Sequence, residues 1–353
     1  PLSGKTTIFN ALTGADAETS AYASHRAEVR VAVVDVPDAR VSVLSKMFMP
    51  RKTTRAQVRF SDVSGVAAGA GRDTGLDAKV LNAISKSDAI MLVVRAFASE
   101  DVPHPQDNIN AARDLQDLRF ELQFSDLAVA SRRIERIEDG MRKARSDEKP
   151  ALEAELDLLR RIVAALEDGQ PIRDLELAPE EERLLRGFQF LSAKPEMVVV
   201  NLGEDDQLQP DLSWANHHRR SKAMPLKGAI EMEIAQLPAE EAAAFLAEFG
   251  LTEPGLHALV RACYGLLGQM SFFTVGEDEV RAWTVQRGAT AVEAAAAIHT
   301  DLARGFIRAE VLSYDAMITC GSIAEARRQG KLRLEGRDYV VQDGDILNIR
   351  FNV

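Results

Sequence analysis

Three consecutive residues near the start of the sequence, Gly4, Lys5 and Thr6, have the types and the order that bind phosphate groups. In a phosphate-binding loop, backbone N–H groups surround the phosphates, the lysine reaches their terminal oxygens and the hydroxyl holds Mg²⁺. The three residues complete the pattern Gly-x-x-x-x-Gly-Lys-Ser/Thr, whose first glycine would stand two residues before Pro1. The sequence therefore predicts that the native polypeptide begins earlier, with a strand that leads into this loop.

The residues after this motif have the pattern of a helix. Ile8-Phe9-Asn10-Ala11-Leu12 is apolar at helical spacing, and no glycine or proline occurs before Gly14. A helix that begins at the loop directs the positive end of its dipole toward bound phosphates. Gly-Lys-Thr also occurs by chance in many proteins, so the interpretation depends on the other motifs.

A second motif, Asp62-Val63-Ser64-Gly65, ends the strand-like segment 55–62. At a strand end, the aspartate of such a motif reaches Mg²⁺ through water, and the glycine N–H approaches the γ-phosphate. The glycine-rich segment 65–75 suits a loop that the nucleotide orders, although a merely flexible surface loop is the alternative. Val66 stands where Ras-like enzymes place the glutamine that positions the attacking water.

Apolar, strand-like segments at 29–36, 89–95 and 197–200 alternate with helical sequence. This alternation predicts an α/β protein with a doubly wound, mainly parallel sheet, in which ligands bind at the carboxyl ends of the strands. Asn201-Leu202-Gly203-Glu204 follows the last of these segments, and Lys227-Gly228-Ala229 occupies the place of a final base-contacting loop.

The stretch between Asp62 and Asn201 is longer than the sheet requires, and its excess is helical. Apolar residues at spacings of three and four form stripes on both sides of the polar turn 146–150, which predicts an antiparallel helical hairpin. We interpret it as a coiled-coil arm because its faces are densely charged; a plain pair of core helices is the alternative. Its basic residues are Arg132, Arg133, Arg136, Arg142, Lys143 and Arg145.

The composition changes after residue 270, where a strand, an Ala-rich helix and further strands with an Asp343-Gly344 turn predict a separate α+β domain. The predicted organisation is a P-loop NTPase domain in two parts, 1–110 and 188–270, an inserted helical domain at 111–187 and a C-terminal domain at 271–353. Basic residues of the last domain are Arg327, Arg328, Lys331, Arg333 and Arg337.

The overall charge limits the function classes. The 43 Lys and Arg against 54 Asp and Glu give a net charge of −11, which argues against a protein that coats nucleic acid with its whole surface. Cys263 and Cys320 lack partners at metal-ligand spacing, as expected for thiols in a reducing compartment. No apolar run reaches the ~18 residues of a membrane span. We therefore expect a cytoplasmic monomer without a membrane partner.

Together with the long segments PLSGKTTIFNALTG, PLKGAIEMEIAQL and GATAVEAAAAIHTDLARGFIRAEV, these motifs make the sequence similar, almost end to end, to the YchF/Obg-like ATPases. The resemblance implies a P-loop domain of the translation-factor class, interrupted by a coiled-coil domain and followed by a TGS domain of β-grasp fold. It also implies ATP as substrate, Mg²⁺ as cofactor, and association with ribosomes or ribosomal RNA.

The resemblance also assigns site residues. Phosphate contacts fall on Leu2, Ser3, Gly4, Lys5, Thr6, Thr7, Asp62 and Gly65, with Thr6 and Asp62 at the metal. Base contacts fall on Asn201, Leu202, Glu204, Lys227, Gly228 and Ala229. GTPases use Asn-Lys-x-Asp, whose aspartate accepts two hydrogen bonds from guanine. Glu204 is one methylene longer and Leu202 replaces the lysine, so we expect ATP to be preferred and GTP to bind more weakly.

Two departures from the family pattern and one match to it concern hydrolysis. Leu2 stands where the family commonly has an asparagine linked to a bound K⁺, so no K⁺ dependence is expected, and segment 22–28 offers no securely placed switch-one threonine. His104 matches a family histidine proposed to help activate water, although a lone loop histidine is the alternative. The leading hypothesis is a slow ATPase switch. Its rival is a nucleotide-gated binding scaffold with little or no hydrolysis.

Overall fold

A computed structural model describes residues 2–14, 28–64, 78–99, 102, 104, 108–207, 210–248 and 251–352. The chain divides into two compact units, one of Pro1–Ala32 with Ser61–Leu256, and one of Val33–Phe60 with His257–Val353. The four-part organisation drawn from the sequence stays a prediction.

The described residues form the following helices and strands. The helices are α1 (Lys5–Thr13), α2 (Ala39–Phe48), α3 (Ala78–Ser85), α4 (Ala111–Met141), α5 (Lys149–Glu167), α6 (Pro179–Leu185), α7 (Gly228–Gln236), α8 (Ala239–Glu248), α9 (Gly255–Leu266), α10 (Ala291–Ile298), α11 (Thr300–Arg304), α12 (Tyr314–Cys320) and α13 (Ile323–Arg328). The strands are β1 (Glu28–Asp35), β2 (Lys52–Thr54), β3 (Gln57–Ser64), β4 (Ile90–Arg95), β5 (Glu196–Asn201), β6 (Ser221–Leu226), β7 (Gln269–Thr274), β8 (Glu279–Gln286), β9 (Phe306–Ser313), β10 (Arg333–Glu335) and β11 (Asp345–Phe351).

A parallel sheet with the order β4-β5-β6 forms the centre of the first unit. Every residue of β5 is buried, as its unbroken apolar sequence requires of a strand covered on both faces. The strands end side by side at Arg95, Asn201 and Leu226. The predicted mixed α/β character is confirmed. Within the described residues, however, β1 and β3 form a separate two-stranded sheet instead of joining β4-β5-β6.

Two long helices, α4 and α5, pack against each other in the first unit. Only the seven residues 142–148 join them, so they run antiparallel. Ala130 and Ile137 of α4 share an apolar cluster with Leu156, Leu159 and Ile162 of α5. An earlier part of α4 has a different partner, because its Leu115 and Leu122 are buried in the cluster that covers β4 and β5. Helix α4 therefore contributes residues to two separate apolar clusters.

A buried ionic network ties this helical region to the sheet. Glu196, the first residue of β5, binds Arg119 of α4 at 2.6 Å and Arg173 at 2.8 Å. The Ser221 hydroxyl donates a further hydrogen bond at 3.0 Å. Burial alone would raise the pKa of Glu196, but the hydrogen bonds and the charges of the two arginines hold it below its usual value. The carboxylate is therefore ionised and bound on both oxygens.

The second unit is a six-stranded sheet with the order β10-β9-β11-β7-β8-β2. Its core joins Phe272 and Val311 of the sheet to Ala291, Ala294 and Ala295 of α10. The small alanines allow this helix to lie close to the strands. Strand β2 comes from far earlier in the chain and pairs with β8 in parallel. Residues 33–60 thus belong with 257–353, which the sequence pattern did not predict.

Membrane insertion through a helix finds no support in the described part of the chain, where every helix is too short or too polar to span a bilayer.

Candidate functional site

The loop before α1 has the backbone of an anion-binding site. Gly4 is the N-cap of α1 and has a φ of 82°, a conformation that favours glycine. The N–H of Ile8 makes the bond to the Gly4 carbonyl at 3.0 Å, so the N–H groups of Lys5, Thr6 and Thr7 precede the first bond of the helix. Such N–H groups at a helix N-terminus bind negatively charged oxygens.

Leu2 lies in the same loop with a φ of 57°, in the left-handed region. This conformation costs most L-residues roughly 1–2 kcal/mol, whereas glycine adopts it freely. Asparagine, which the related family commonly has here, tolerates it better. The departure at Leu2 therefore adds strain next to the phosphate-binding residues, whatever its effect on K⁺.

Lys5, Thr6 and Asp62 come together as the sequence predicts. The Lys5 Nζ lies 2.5 Å from Asp62 Oδ1, and the Thr6 hydroxyl donates to Asp62 Oδ2 at 3.3 Å. Asp62 is buried near the end of β3, which continues to Ser64, while Lys5 is half-exposed. Strand β3 and helix α1 therefore place the Lys5 ammonium group and the Thr6 hydroxyl in contact with the same carboxylate, that of Asp62.

The donor set fits Mg²⁺. Thr6 and Asp62 supply two adjacent oxygen ligands, and Mg²⁺ is commonly held by one or two protein oxygens together with substrate phosphates and water. Among the described residues, no cluster of three His, Cys, Asp or Glu side chains could hold a metal ion by itself. A metal at this site would therefore depend on the nucleotide for part of its coordination.

Asn201, at the end of β5, joins two loops through its side-chain amide. Its Nδ2 donates to the Ser3 carbonyl at 2.9 Å, and its Oδ1 accepts from the Gly228 N–H at 2.9 Å. Both neighbouring glycines are required by this contact: a Cβ on Gly4 would overlap the Asn201 nitrogen, and one on Gly228 would lie 2.8 Å from its oxygen. Asn201 is 4% exposed, so it sets the position of the phosphate loop relative to α7.

The other predicted base-site residues lie in different environments. Leu202 is buried in the apolar cluster with Val200 and Ala215, and only 8% of it is exposed. Glu204 is exposed, and its carbonyl accepts from the Lys227 Nζ at 2.5 Å. Ala229 is exposed in the first turn of α7. The structure therefore brings the two loops together, with Leu202 directed into the core beneath them.

His104 contacts the beginning of α4. One ring nitrogen, Nε2, lies 2.9 Å from Asp114 Oδ2, and Asp114 also pairs with Arg113 at 2.8 Å. A carboxylate that binds one ring nitrogen selects the tautomer and orients the imidazole. This arrangement suits either interpretation of His104, which stays a prediction.

Gly65 and the glycine-rich segment that follows it lie outside the described residues, as does most of segment 22–28.

Arg95 lies beside the candidate site, and the sequence motifs did not single it out. It ends β4 beside Asn201, and its guanidinium donates to the carbonyls of Phe97 at 3.0 Å and Val102 at 2.7 Å. The side chain is buried and holds the backbone of Phe97 and Val102 next to the end of β4. The sequence feature that could have identified Arg95 is its position as a cation at the end of the apolar run 89–95.

Comparison with known proteins gives matches along the whole chain. Residues 1–124 match a family model described as a 50S ribosome-binding GTPase, and residues 269–352 match the model YchF-GTPase_C, described as a protein of unknown function. Proteins named "Ribosome-binding ATPase YchF" are 40% identical in Pasteurella multocida, 41% in Haemophilus ducreyi and 37% in Bacillus subtilis, each over 100% of this chain and 97% of the relative. The structure of the Schizosaccharomyces pombe YchF GTPase has a TM-score of 0.84 and 28% identity, covering 99% of this chain and 95% of that one.

Proposed function

Because the chain belongs to the YchF family, we propose that it binds ATP, hydrolyses it slowly, and associates with ribosomes in a nucleotide-dependent manner. The observation that carries the proposal is the contact of Lys5 and Thr6 with Asp62, beside a loop whose helical N–H groups are available to phosphate. Curated relatives of nearly equal length are named as ribosome-binding ATPases, which supports the same activity here.

The residues of the proposed site have different roles at the phosphates. Lys5 and the N–H groups of Thr6 and Thr7 would bind the phosphate oxygens, and Thr6 with Asp62 would hold Mg²⁺. When bound, Mg²⁺ neutralises charge on the phosphate oxygens. Asp62 orients Lys5 before the nucleotide arrives. Leu2 and Ser3 complete the loop, and Gly65 would approach the γ-phosphate.

The attacking water needs a residue that orients it. Val66 replaces the usual glutamine, so we assign His104 to orient the attacking water, with Asp114 fixing its ring. The site lacks both the positioned glutamine and the switch-one threonine, and His104 alone would orient the water. This supports slow turnover. The nucleotide-gated scaffold remains the rival, because both of these groups are missing from their usual places.

For base choice we propose that ATP binds more tightly than GTP. Glu204 is exposed at the edge of the base loops, and Leu202 is buried beneath them, so neither forms the guanine clamp of Asn-Lys-x-Asp. Replacing Leu202→Lys together with Glu204→Asp will shift the ratio of ATP to GTP dissociation constants toward GTP, by roughly tenfold for one restored polar match.

Titration calorimetry with both nucleotides measures that ratio. Glu204→Asp alone is the matched control, since it shortens the carboxylate but leaves Leu202 in the core. A double variant that keeps the original ratio would rule out the clamp argument.

We propose that the helical insertion 111–187, which contains α4 and α5, is a coiled-coil arm and that residues 271–353 form a TGS-like β-grasp domain. The packed helices and their shared apolar cluster support the first assignment. The sheet of six strands with α10 packed on it supports the second.

The arm is the proposed contact for ribosomal RNA. Its Arg133 already binds Glu155 through two hydrogen bonds of 2.7 and 2.8 Å, whereas Arg136, Arg142 and Lys143 are exposed without an ion-pair partner among the described residues. Changing those three to glutamate will weaken co-sedimentation with ribosomes. The affinity of the unchanged protein should also fall with salt, with a log–log slope of about −0.7 to −0.9 per phosphate contact.

The same variant should bind ATP with unchanged affinity, because the arm residues lie outside the nucleotide site. In the C-terminal domain, Arg327 already pairs with Glu310, Arg328 with Glu325 and Arg333 with Glu335. Lys331 and Arg337 are therefore the residues to reverse in a parallel experiment. Undiminished pelleting of both variants would exclude RNA contact through these faces.

A further inference from the structure

A cleft of 830 Å³ lies at the amino-terminal ends of the three parallel strands of the first unit. Residues just before each strand line it, namely Ser85–Asp88 before β4, Ala193–Pro195 before β5 and Arg219–Arg220 before β6. The segment after α5 forms its remaining wall. This is the opposite end of the sheet from Asn201, so the cleft is separate from the nucleotide site. Ligand sites of such sheets ordinarily lie at the carboxyl ends of the strands.

The lining is rich in cations although the whole chain has a net charge of −11. Six basic side chains line the cleft against three carboxylates, those of Asp88, Glu176 and Glu182. The basic residues are Lys86, Arg173, Arg186, Lys194, Arg219 and Arg220. Cations concentrated in a concavity raise the local concentration of anions.

Most of these cations have no carboxylate partner. Lys86, Arg186, Arg219 and Arg220 are exposed, and none forms an ion pair within the part of the chain that the structure describes. Lys194 donates to the Ser87 carbonyl at 2.5 Å, and its burial lowers the pKa of its ammonium group. An arriving anion would supply the missing counter-charge.

A buried donor also lacks a partner. Arg173 binds Glu196 with Nη2 and the Ser192 carbonyl with Nη1, but its Nε is buried without a hydrogen-bond partner among the described residues. A buried unsatisfied N–H costs roughly 1–3 kcal/mol, so such a group needs an explanation. Two further lining residues, Gln189 and Arg220, have φ values of 54° and 51°, in the left-handed region. Strained backbone of this kind concentrates at functional sites.

We propose that this cleft binds a small molecule carrying two or more phosphate groups. Its volume lies within the roughly 300–1,000 Å³ of small-molecule sites. Four unpaired cations exceed what one phosphate requires, and guanidinium groups bind phosphate oxygens in pairs. The three carboxylates of the lining disfavour a continuous RNA backbone but leave room for a compact polyanion. Because Arg173 also binds Glu196, a ligand here would contact the ionic network that joins α4 to the sheet.

Titration calorimetry with inorganic tripolyphosphate tests the proposal, using the full chain with Lys5→Ala so that the phosphate loop contributes little. We expect saturable binding of one tripolyphosphate per chain. Adding Lys86→Glu, Arg186→Glu and Arg219→Glu should weaken it at least tenfold. The matched control adds Lys46→Glu, Arg287→Glu and Arg308→Glu instead, three exposed positions outside every proposed site. It changes the net charge equally and should leave the affinity within about twofold.

Absence of saturable binding, or equal weakening in the control, would overturn the proposal. So would an RNA duplex that binds through the same three residues without competition from tripolyphosphate, since the cleft would then be a nucleic-acid surface. Hydrogen exchange on the unsubstituted protein provides a second measurement that requires no variant to fold. Tripolyphosphate should slow amide exchange in residues 172–176 and 219–221, and unchanged exchange there contradicts the cleft as the site.

Discussion

Replacing Lys5 with alanine will reduce ATP-dependent phosphate release by at least about 100-fold, the effect of removing one group that stabilises charge in a transition state. The ammonium of Lys5 lies 2.5 Å from Asp62 and is the only cation that the phosphate-loop motif places at the terminal phosphates. Alanine removes that charge and leaves the buried Asp62 carboxylate without its ion pair. Phosphate release at saturating ATP measures the loss.

Lys46→Ala is the control, because Lys46 is exposed in the last turn of α2, far along the chain from the motif. It should release phosphate at the unchanged rate. Equal rates for the protein with and without Lys5 would contradict the proposed ATPase activity. ATP binding that persists without any measurable hydrolysis would instead favour the nucleotide-gated scaffold.

Asn201→Ala has the second largest expected effect. It leaves the Ser3 carbonyl and the Gly228 N–H without their shared partner in a site that is 4% exposed. Two unsatisfied buried groups cost about 2–6 kcal/mol together. We therefore expect a lower free energy of unfolding for the first unit and a loss of ATP affinity, measured by denaturant unfolding and by titration calorimetry.

Asn201→Asp separates the two contacts. A carboxylate still accepts from Gly228 but cannot donate to Ser3, so most of the loss in ATP affinity should remain. Asn82→Ala, at an exposed position of α3, is the neutral control. An Asn201→Ala protein that binds ATP normally would show that the two loops hold their positions without this amide.

Much of the site was predictable because it depends on short, local patterns. Gly4-Lys5-Thr6 begins a helix, Asn201 ends a strand and Asp62 lies two residues before the end of another. Each of these placements follows from periodicity and residue type. Family membership, inferred from the same motifs, is confirmed by relatives that span the whole chain. The direction of the Leu202 side chain could not be predicted, because an apolar residue after a strand suits a base contact and a core position equally well.

Long-range pairing accounts for what the sequence patterns missed in the fold. Strand β2 has three residues, too few for any periodicity, and its partner β8 begins at Glu279. Nothing local in Lys52–Thr54 identifies that partner. The stripe of α4 likewise predicts an apolar face but not that Leu122 packs on the sheet while Ile137 packs on α5.

Strand β5 joins the two ends of the first unit. Its last residue, Asn201, fixes the loops at the proposed nucleotide site, and its first, Glu196, binds Arg119 of α4 and Arg173. An extended strand cannot lengthen, since each residue already spans roughly 3.3 Å, and β5 is hydrogen-bonded on both sides. It can move only as a body. A displacement of the Asn201 backbone along the strand axis is therefore expected to reach Glu196 and its ion pair with Arg119, about 17 Å away.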